Sequence, residues 1–147
     1  MSTSTDAKLI VADDEHPILR LLRILLTRTG YTVTTCDSGS QALDEFRREP
    51  ADLLLTDIRM PGLDGIDLAG AVRQVDPEVP VLFISGSLDD AKVTGRLRTE
   101  LNANPRSGFI AKPFDIEELV AKVKRMLEFR RTRRNGRSLP AVFPGLR

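Results

Sequence analysis

Cysteine is nearly absent from this chain: Cys36 is the only one in 147 residues, which excludes an intrachain disulfide and the cysteine-rich metal frameworks. No apolar run approaches the roughly 18 residues needed to span a bilayer. The first residues, MSTSTDAK, lack the basic segment and apolar stretch of an export signal. A reducing, cytoplasmic setting is therefore expected, with no membrane partner. Net charge is also scarce, +1 in all, but residues 1–127 carry 16 Lys+Arg against 20 Asp+Glu, whereas 128–147 carry six Arg against Glu128 alone. The folded part is thus mildly acidic and the tail basic.

With 41% hydrophobic and 29% charged residues, the chain has the balance of a single domain with one core. Five short runs rich in β-formers predict strands: 9–12, 31–35, 52–56, 79–85 and 108–111. Between them the spacing turns helical. Ile18, Leu21, Leu22, Leu25 and Leu26 share one face of a helix over 15–29, with Gly30 as its stop. Ser38 with Gln41, and Asp115 with Glu118, form capping-box patterns that start the second and fifth helices. Residues 65–75 and 88–101 fill the remaining helical places, the latter interrupted by Gly95 and followed by the poor helix formers NANP.

Strict alternation of short strands and helices predicts a five-stranded, doubly wound α/β fold with a parallel sheet covered on both faces. The organisation expected is a disordered start over 1–7, one domain over 8–128, and a basic, proline-containing extension over 129–147 without an output domain.

In such sheets the functional crevice lies beyond the carboxyl ends of the strands. There the first strand ends in Asp13, Asp14 and Glu15, the third in Asp57, the fourth in Ser85 and Gly86, the fifth in Lys112 and Pro113. Taken singly, a carboxylate at a strand end caps the next helix, and a lysine is solvated. Their convergence on one edge argues for a site. Clustered carboxylates raise one another's pKa, so Asp13, Asp14 and Asp57 together call for a hard divalent cation, with Mg²⁺ the first choice. Three carboxylates are balanced by that ion and Lys112, which leaves a neutral pocket for a phosphoryl group, with the Ser85 hydroxyl placed to donate to it.

The motifs VADDE (11–15), LLLTDIRMPGLDG (53–65), FISG (83–86) and FIAKPF (109–114) resemble response-regulator receiver domains, over about Lys8 to Leu127. The resemblance implies a CheY-like, flavodoxin-like sheet in strand order 2-1-3-4-5. It implies that Asp57 takes a phosphoryl group from a sensor histidine kinase or phosphotransfer protein. It further implies that Asp14, Asp57 and the backbone carbonyl of Arg59 bind Mg²⁺, Asp13 acting mainly through a water. Ser85 and Lys112 would contact phosphate oxygens, Gly86 would leave room for the donor, and Phe109 would turn inward as Ser85 moves. The face made by the fourth helix, fifth strand and fifth helix would then be read by a downstream protein, as a monomer or a phosphorylation-dependent dimer. The chain departs from the pattern between Ser85 and Lys112, where 26 residues intervene and NANPRSG (102–108) precedes the fifth strand. That departure implies an atypical switch surface, with an extended or displaced fourth helix.

Other readings are weaker. His16 precedes Pro17 beside acids, which speaks against a phosphocarrier role, and Cys36 lacks a resolving cysteine or a basic neighbour. Met60, Pro61 and Gly62 shape the loop after Asp57. A haloacid-dehalogenase-like phosphohydrolase needs a second aspartate two positions beyond its nucleophile, and Arg59 stands there. Direct nucleic-acid binding is not expected, because arginines 130–134 fit an extension of the fifth helix and no helix-turn-helix pattern follows. A receiver cut from a longer DNA-binding regulator, or a pseudo-receiver working without phosphorylation, are the alternatives. The pseudo-receiver usually lacks the acidic pair, the aspartate or the lysine, all of which are present.

Overall fold

The computed structural model describes residues 7–86 and 89–134. Ten elements alternate without exception: β1 (Lys8–Ala12), α1 (His16–Thr29), β2 (Thr32–Cys36), α2 (Gly39–Arg48), β3 (Leu53–Asp57), α3 (Gly65–Val75), β4 (Val81–Ser85), α4 (Ala91–Ala103), β5 (Ser107–Ala111) and α5 (Ile116–Arg134). The strands form one parallel sheet in the order β2-β1-β3-β4-β5, as the resemblance implied.

Side chains that alternate along each strand supply two separate cores. Ile10, Ala12, Leu54, Val81 and Phe83 point to the face covered by α2, α3 and α4, where Phe46, Leu68, Val72 and Leu97 meet them. Leu9, Val11, Leu53, Leu55, Leu82, Ile84 and Ile110 point to the other face, against Leu22 and Leu26 of α1 and Leu119, Val123 and Leu127 of α5. Fully burying one such large side chain stabilises by about 1.5–3 kcal/mol. Only Leu97 of α4 is fully buried, so α4 is the helix least anchored by apolar contact.

Several boundaries shift from the sequence expectation for visible reasons. Tyr31, just past α1, is tied back to that helix, its N–H donating to Leu26 O at 3.2 Å, so β2 begins one residue later. Gly30, at φ 113°, makes the left-handed turn there. β4 begins at Val81, after Pro80, which has no N–H to give a ladder. The fourth helix starts at Ala91 because Asp90 caps it, Oδ1 accepting from the N–H groups of Lys92 (2.9 Å) and Val93 (3.4 Å). Leu88, within the expected helix, lies outside the described residues. At its far end the helix continues through Asn102 and Ala103, and Asn104, which precedes a proline, turns extended at φ −129° and ψ 113°. Helix α5 runs to Arg134, into the stretch assigned to the extension; residues 1–6 and 135–147, with most of the expected terminal segments, lie outside the described residues.

Candidate functional site

Register places the site. Ala12 pairs with Thr56 and Asp57 with Ile84, so Asp13 stands abreast of Asp57 at the carboxyl edge. Ser85 pairs with Ala111, and Lys112 N–H donates to Ser85 O at 3.0 Å, which delivers Ser85 and Lys112 as a hydrogen-bonded couple. Asp13 is held by main-chain bonds on both sides: its N–H donates to Cys36 O (3.1 Å), and its Oδ1 accepts from Glu15 N–H (2.9 Å). Asp57 Oδ1 accepts from Ile58 N–H at 2.6 Å, and Thr56 Oγ1 donates to the Asp57 carbonyl at 2.8 Å.

The loop after Asp57 closes back through two glycines. Gly62 takes φ 77°, open to glycine without strain. Gly65 starts α3 against the strand, where a Cβ would sit 2.0 Å from the Asp57 carbonyl oxygen, and its N–H donates to Ile58 O at 2.8 Å. Asp64 caps α3 by accepting from Asp67 N–H at 2.8 Å.

A cavity of about 320 Å³ results, lined by Asp14, Glu15, Asp57, Arg59, Gly86 and Lys112. Lys112 Nζ stands 3.0 Å from Asp13 Oδ2, 3.0 Å from Asp57 Oδ2 and 2.6 Å from Glu15 Oε1. Burial acts to lower the Lys112 pKa, but these three carboxylates outweigh it and hold the amine above the ordinary lysine range. Burial also pushes the Asp13 carboxyl up, and the charge of Asp57 adds to this, against the opposing pull of Glu15 N–H and Lys112. Asp13 Oδ2 is sealed from solvent with no donor aimed at it, Lys112 meeting it as an ion pair rather than a directed hydrogen bond.

One oxygen each from Asp13, Asp14 and Asp57 lie within 4.8 Å of one another, Asp14 exposed and the other two buried. A hard cation suits this donor set, since it would satisfy the sealed Asp13 oxygen and relieve the repulsion that raises Asp13. The structure thus gathers Asp13, Asp14, Asp57, Arg59 and Lys112, with Ser85 buried on the adjoining strand end. Phe109 lies apart, half-buried against the core under α4. Glu15 was counted among the strand-end acids without a role, because sequence does not tell which way its side chain turns.

His16 Nε2 lies 3.4 Å from Asp37 Oδ2 on the surface. Cys36 is buried, and burial, with Glu45 and Asp37 nearby, pushes its thiol up to about 11. It is an inert thiol at the end of β2.

The family model for the response regulator receiver domain matches residues 9–124. The chain belongs to that family. This receiver is 35% identical over 120 residues to the response regulator receiver protein CpdR of Brucella abortus, covering 82% of this chain and 96% of the relative. It is 34% identical to the DNA-binding transcriptional regulator NtrC of Klebsiella pneumoniae, but there 91% of this chain spans only 28% of the relative. Among solved structures, a response regulator receiver protein from Sinorhizobium medicae is 32% identical, with a TM-score of 0.73 over 85% of this receiver and 97% of that chain. Among the described residues no helix is long and apolar enough to cross a membrane.

Proposed function

We propose that Asp57 is the phosphoacceptor of this receiver, loaded by a histidine kinase or phosphotransfer protein, and that its cofactor is Mg²⁺. The observation that carries the reading is the Lys112 ammonium, within 3.0 Å of both Asp13 and Asp57 beside a cavity of about 320 Å³ that has room for a phosphoryl group. An Asp57 carboxylate oxygen forms the new bond to phosphorus as the bond from phosphorus to the donor's imidazole nitrogen breaks. That nitrogen keeps the electron pair, and an acyl phosphate results.

Phosphoryl transfer asks for alignment and charge neutralisation rather than covalent help. Main-chain bonds to Asp13 and Asp57 provide the alignment. Lys112 moves from carboxylate to phosphoryl oxygen, and Ser85 donates its hydroxyl to another. Mg²⁺, held by Asp14, Asp57 and the Arg59 carbonyl with Asp13 through water, would supply further positive charge at the transferring group.

Phosphorylation turns the Asp57 carboxylate into an acyl phosphate dianion, adding about one negative charge and new acceptors, which draw Ser85 inward and make room for Phe109 to follow. The face of α4, β5 and α5 then changes for a downstream protein. No turnover of external phosphate esters is expected, because Arg59 occupies the place where a phosphohydrolase would need its acid. The NtrC relative is a DNA-binding regulator of which this receiver spans 28%, so a receiver carried by a longer regulator fits the same chemistry.

Intact mass after incubation with Mg²⁺ and a small-molecule phosphodonor tests the reading. One hydroxylamine-labile phosphoryl group is expected, absent in Asp57→Asn and absent with EDTA. No gain from small donors or from histidine kinases would turn the reading to a phosphorylation-independent pseudo-receiver.

A further inference from the structure

We propose that Glu15 is a positioning residue that holds Lys112 back from the incoming phosphoryl group and so sets how readily Asp57 is loaded. The proposal rests on the phosphoacceptor reading above and adds a control to it.

Glu15 occupies the N-cap position of α1, where a side chain ordinarily turns back to accept from the first helical N–H groups. It makes no such bond. Pro17, which brings no N–H, takes one of the first helical places and so removes one donor a capping side chain would meet, while the Glu15 carbonyl makes the ordinary first helical bond, accepting from Leu19 N–H at 3.0 Å. Asp13 Oδ1 accepts from Glu15 N–H and fixes the direction of the turn. The Glu15 carboxylate is thereby released from capping and reaches across to Lys112 Nζ at 2.6 Å, closer than either Asp13 or Asp57. Of the three carboxylates on Lys112 it is the only one with no part in metal or phosphoryl binding.

Charge gives the contact its consequence. With Glu15 counted, four carboxylates face Lys112 and one divalent cation, so the loaded pocket stands at −1 rather than neutral before phosphate arrives. Lys112 can serve the phosphoryl oxygens fully only by leaving Glu15. The pair is partly exposed, the Glu15 side chain at 59%, so water screens it and the effect is modest, about two- to fivefold in affinity.

The test uses Glu15→Gln and Glu15→Asp beside the wild type, with beryllium fluoride as phosphoryl mimic at saturating Mg²⁺ and Mg²⁺ alone as second ligand, both followed by backbone amide shifts. Glu15→Gln removes the charge. It is expected to tighten beryllium fluoride about two- to fivefold while weakening Mg²⁺ about twofold, opposite shifts that a general loosening of the fold would not produce. Glu15→Asp keeps the charge but falls a methylene short of Lys112. It is expected to tighten beryllium fluoride as well and leave Mg²⁺ near the wild-type value. An unchanged or weakened mimic in Glu15→Gln overturns the proposal, and so does Glu15→Asp behaving as wild type, which would leave only a diffuse field. If the wild type itself binds neither ligand, the phosphoacceptor reading has failed, a result distinct from a wild type that binds both and is indifferent to Glu15.

Discussion

Charged side chains are drawn inward at both edges of the sheet, and the two edges treat them in opposite ways. At the carboxyl edge, Asp13 and Asp57 are buried beside each other, and Lys112 is the one amine that meets both. At the amino edge, Arg73 of α3 pairs with Glu100 of α4 through one fork nitrogen, and donates to Ser107 Oγ of β5 through the other at 2.9 Å. Beside it Arg106 bridges Glu78 at 2.6 Å and lies 5.6 Å from the centre of the Phe129 ring. Burial, with Arg106 nearby, lowers Arg73 only to about 10, so it stays charged at neutral pH. One edge matches its charges and holds α4 and α5 in place. The other leaves acids in excess, which is what a cation and a phosphoryl group can use.

That contrast can be broken from either side. Asp57→Asn is expected to abolish phosphoryl incorporation, read by intact mass, while the urea midpoint stays close to wild type, since the lost contact with Lys112 is offset by relief at Asp13. Gly65→Ala strikes fold and chemistry together. Its Cβ would press on the Asp57 carbonyl, displacing the proposed phosphoacceptor, and phosphorylation by a small donor should slow by up to roughly a hundredfold with about 1–3 kcal/mol of stability lost. Arg73→Ala should do the reverse of Asp57→Asn. Urea unfolding is expected to show about 2–3 kcal/mol lost, below the roughly 3–5 of a fully buried pair, with phosphorylation at the wild-type rate. A fall in that rate would mean that the two edges are coupled.

The smallest effect concerns Asp64, which caps α3 and takes Arg96 of α4 at 2.7 Å, while Arg96 also reaches Asp67 at 2.9 Å. Partial burial acts to raise the Asp64 pKa, but the Asp67 N–H and Arg96 outweigh it and hold the carboxyl below its usual value. A depressed folded pKa means stability present above the unfolded carboxylate range, around pH 4, and lost as pH falls through the folded value. Asp64→Asn keeps a capping side chain and loses the ion pair. It should cost under about 1 kcal/mol at pH 7, and the gap to wild type should close in acid, as urea curves at several pH values would show.

What could be read ahead of the structure was whatever depends on order along the chain. The alternation of apolar runs with helical spacing was enough for a parallel α/β sheet, and the ends of the runs named Asp13, Asp14, Asp57, Ser85 and Lys112. The fourth helix was expected from Leu88 because helical spacing alone does not mark where it begins, whereas Asp90 caps it and the helix starts at Ala91. Its end was cut short because NANP reads as poor helix, whereas the break falls at Asn104, the residue before proline. The pairs Arg96–Asp64 and Arg73–Glu100 join residues about 30 apart. Spacing says nothing about such pairs, since they arise where α3 and α4 are laid side by side.

The turn at Asn104–Arg106, where Asn104 Oδ1 accepts from Arg106 N–H and Asn104 O from Ser107 N–H, lies at the end of the sheet remote from Asp57. Because the groups of the pocket hang from the opposite rim, changes in this turn meet α4, β4 and β5 before they meet the pocket. Divergence there would bear first on the surface that α4 and β5 present, and only through them on the carboxyl rim.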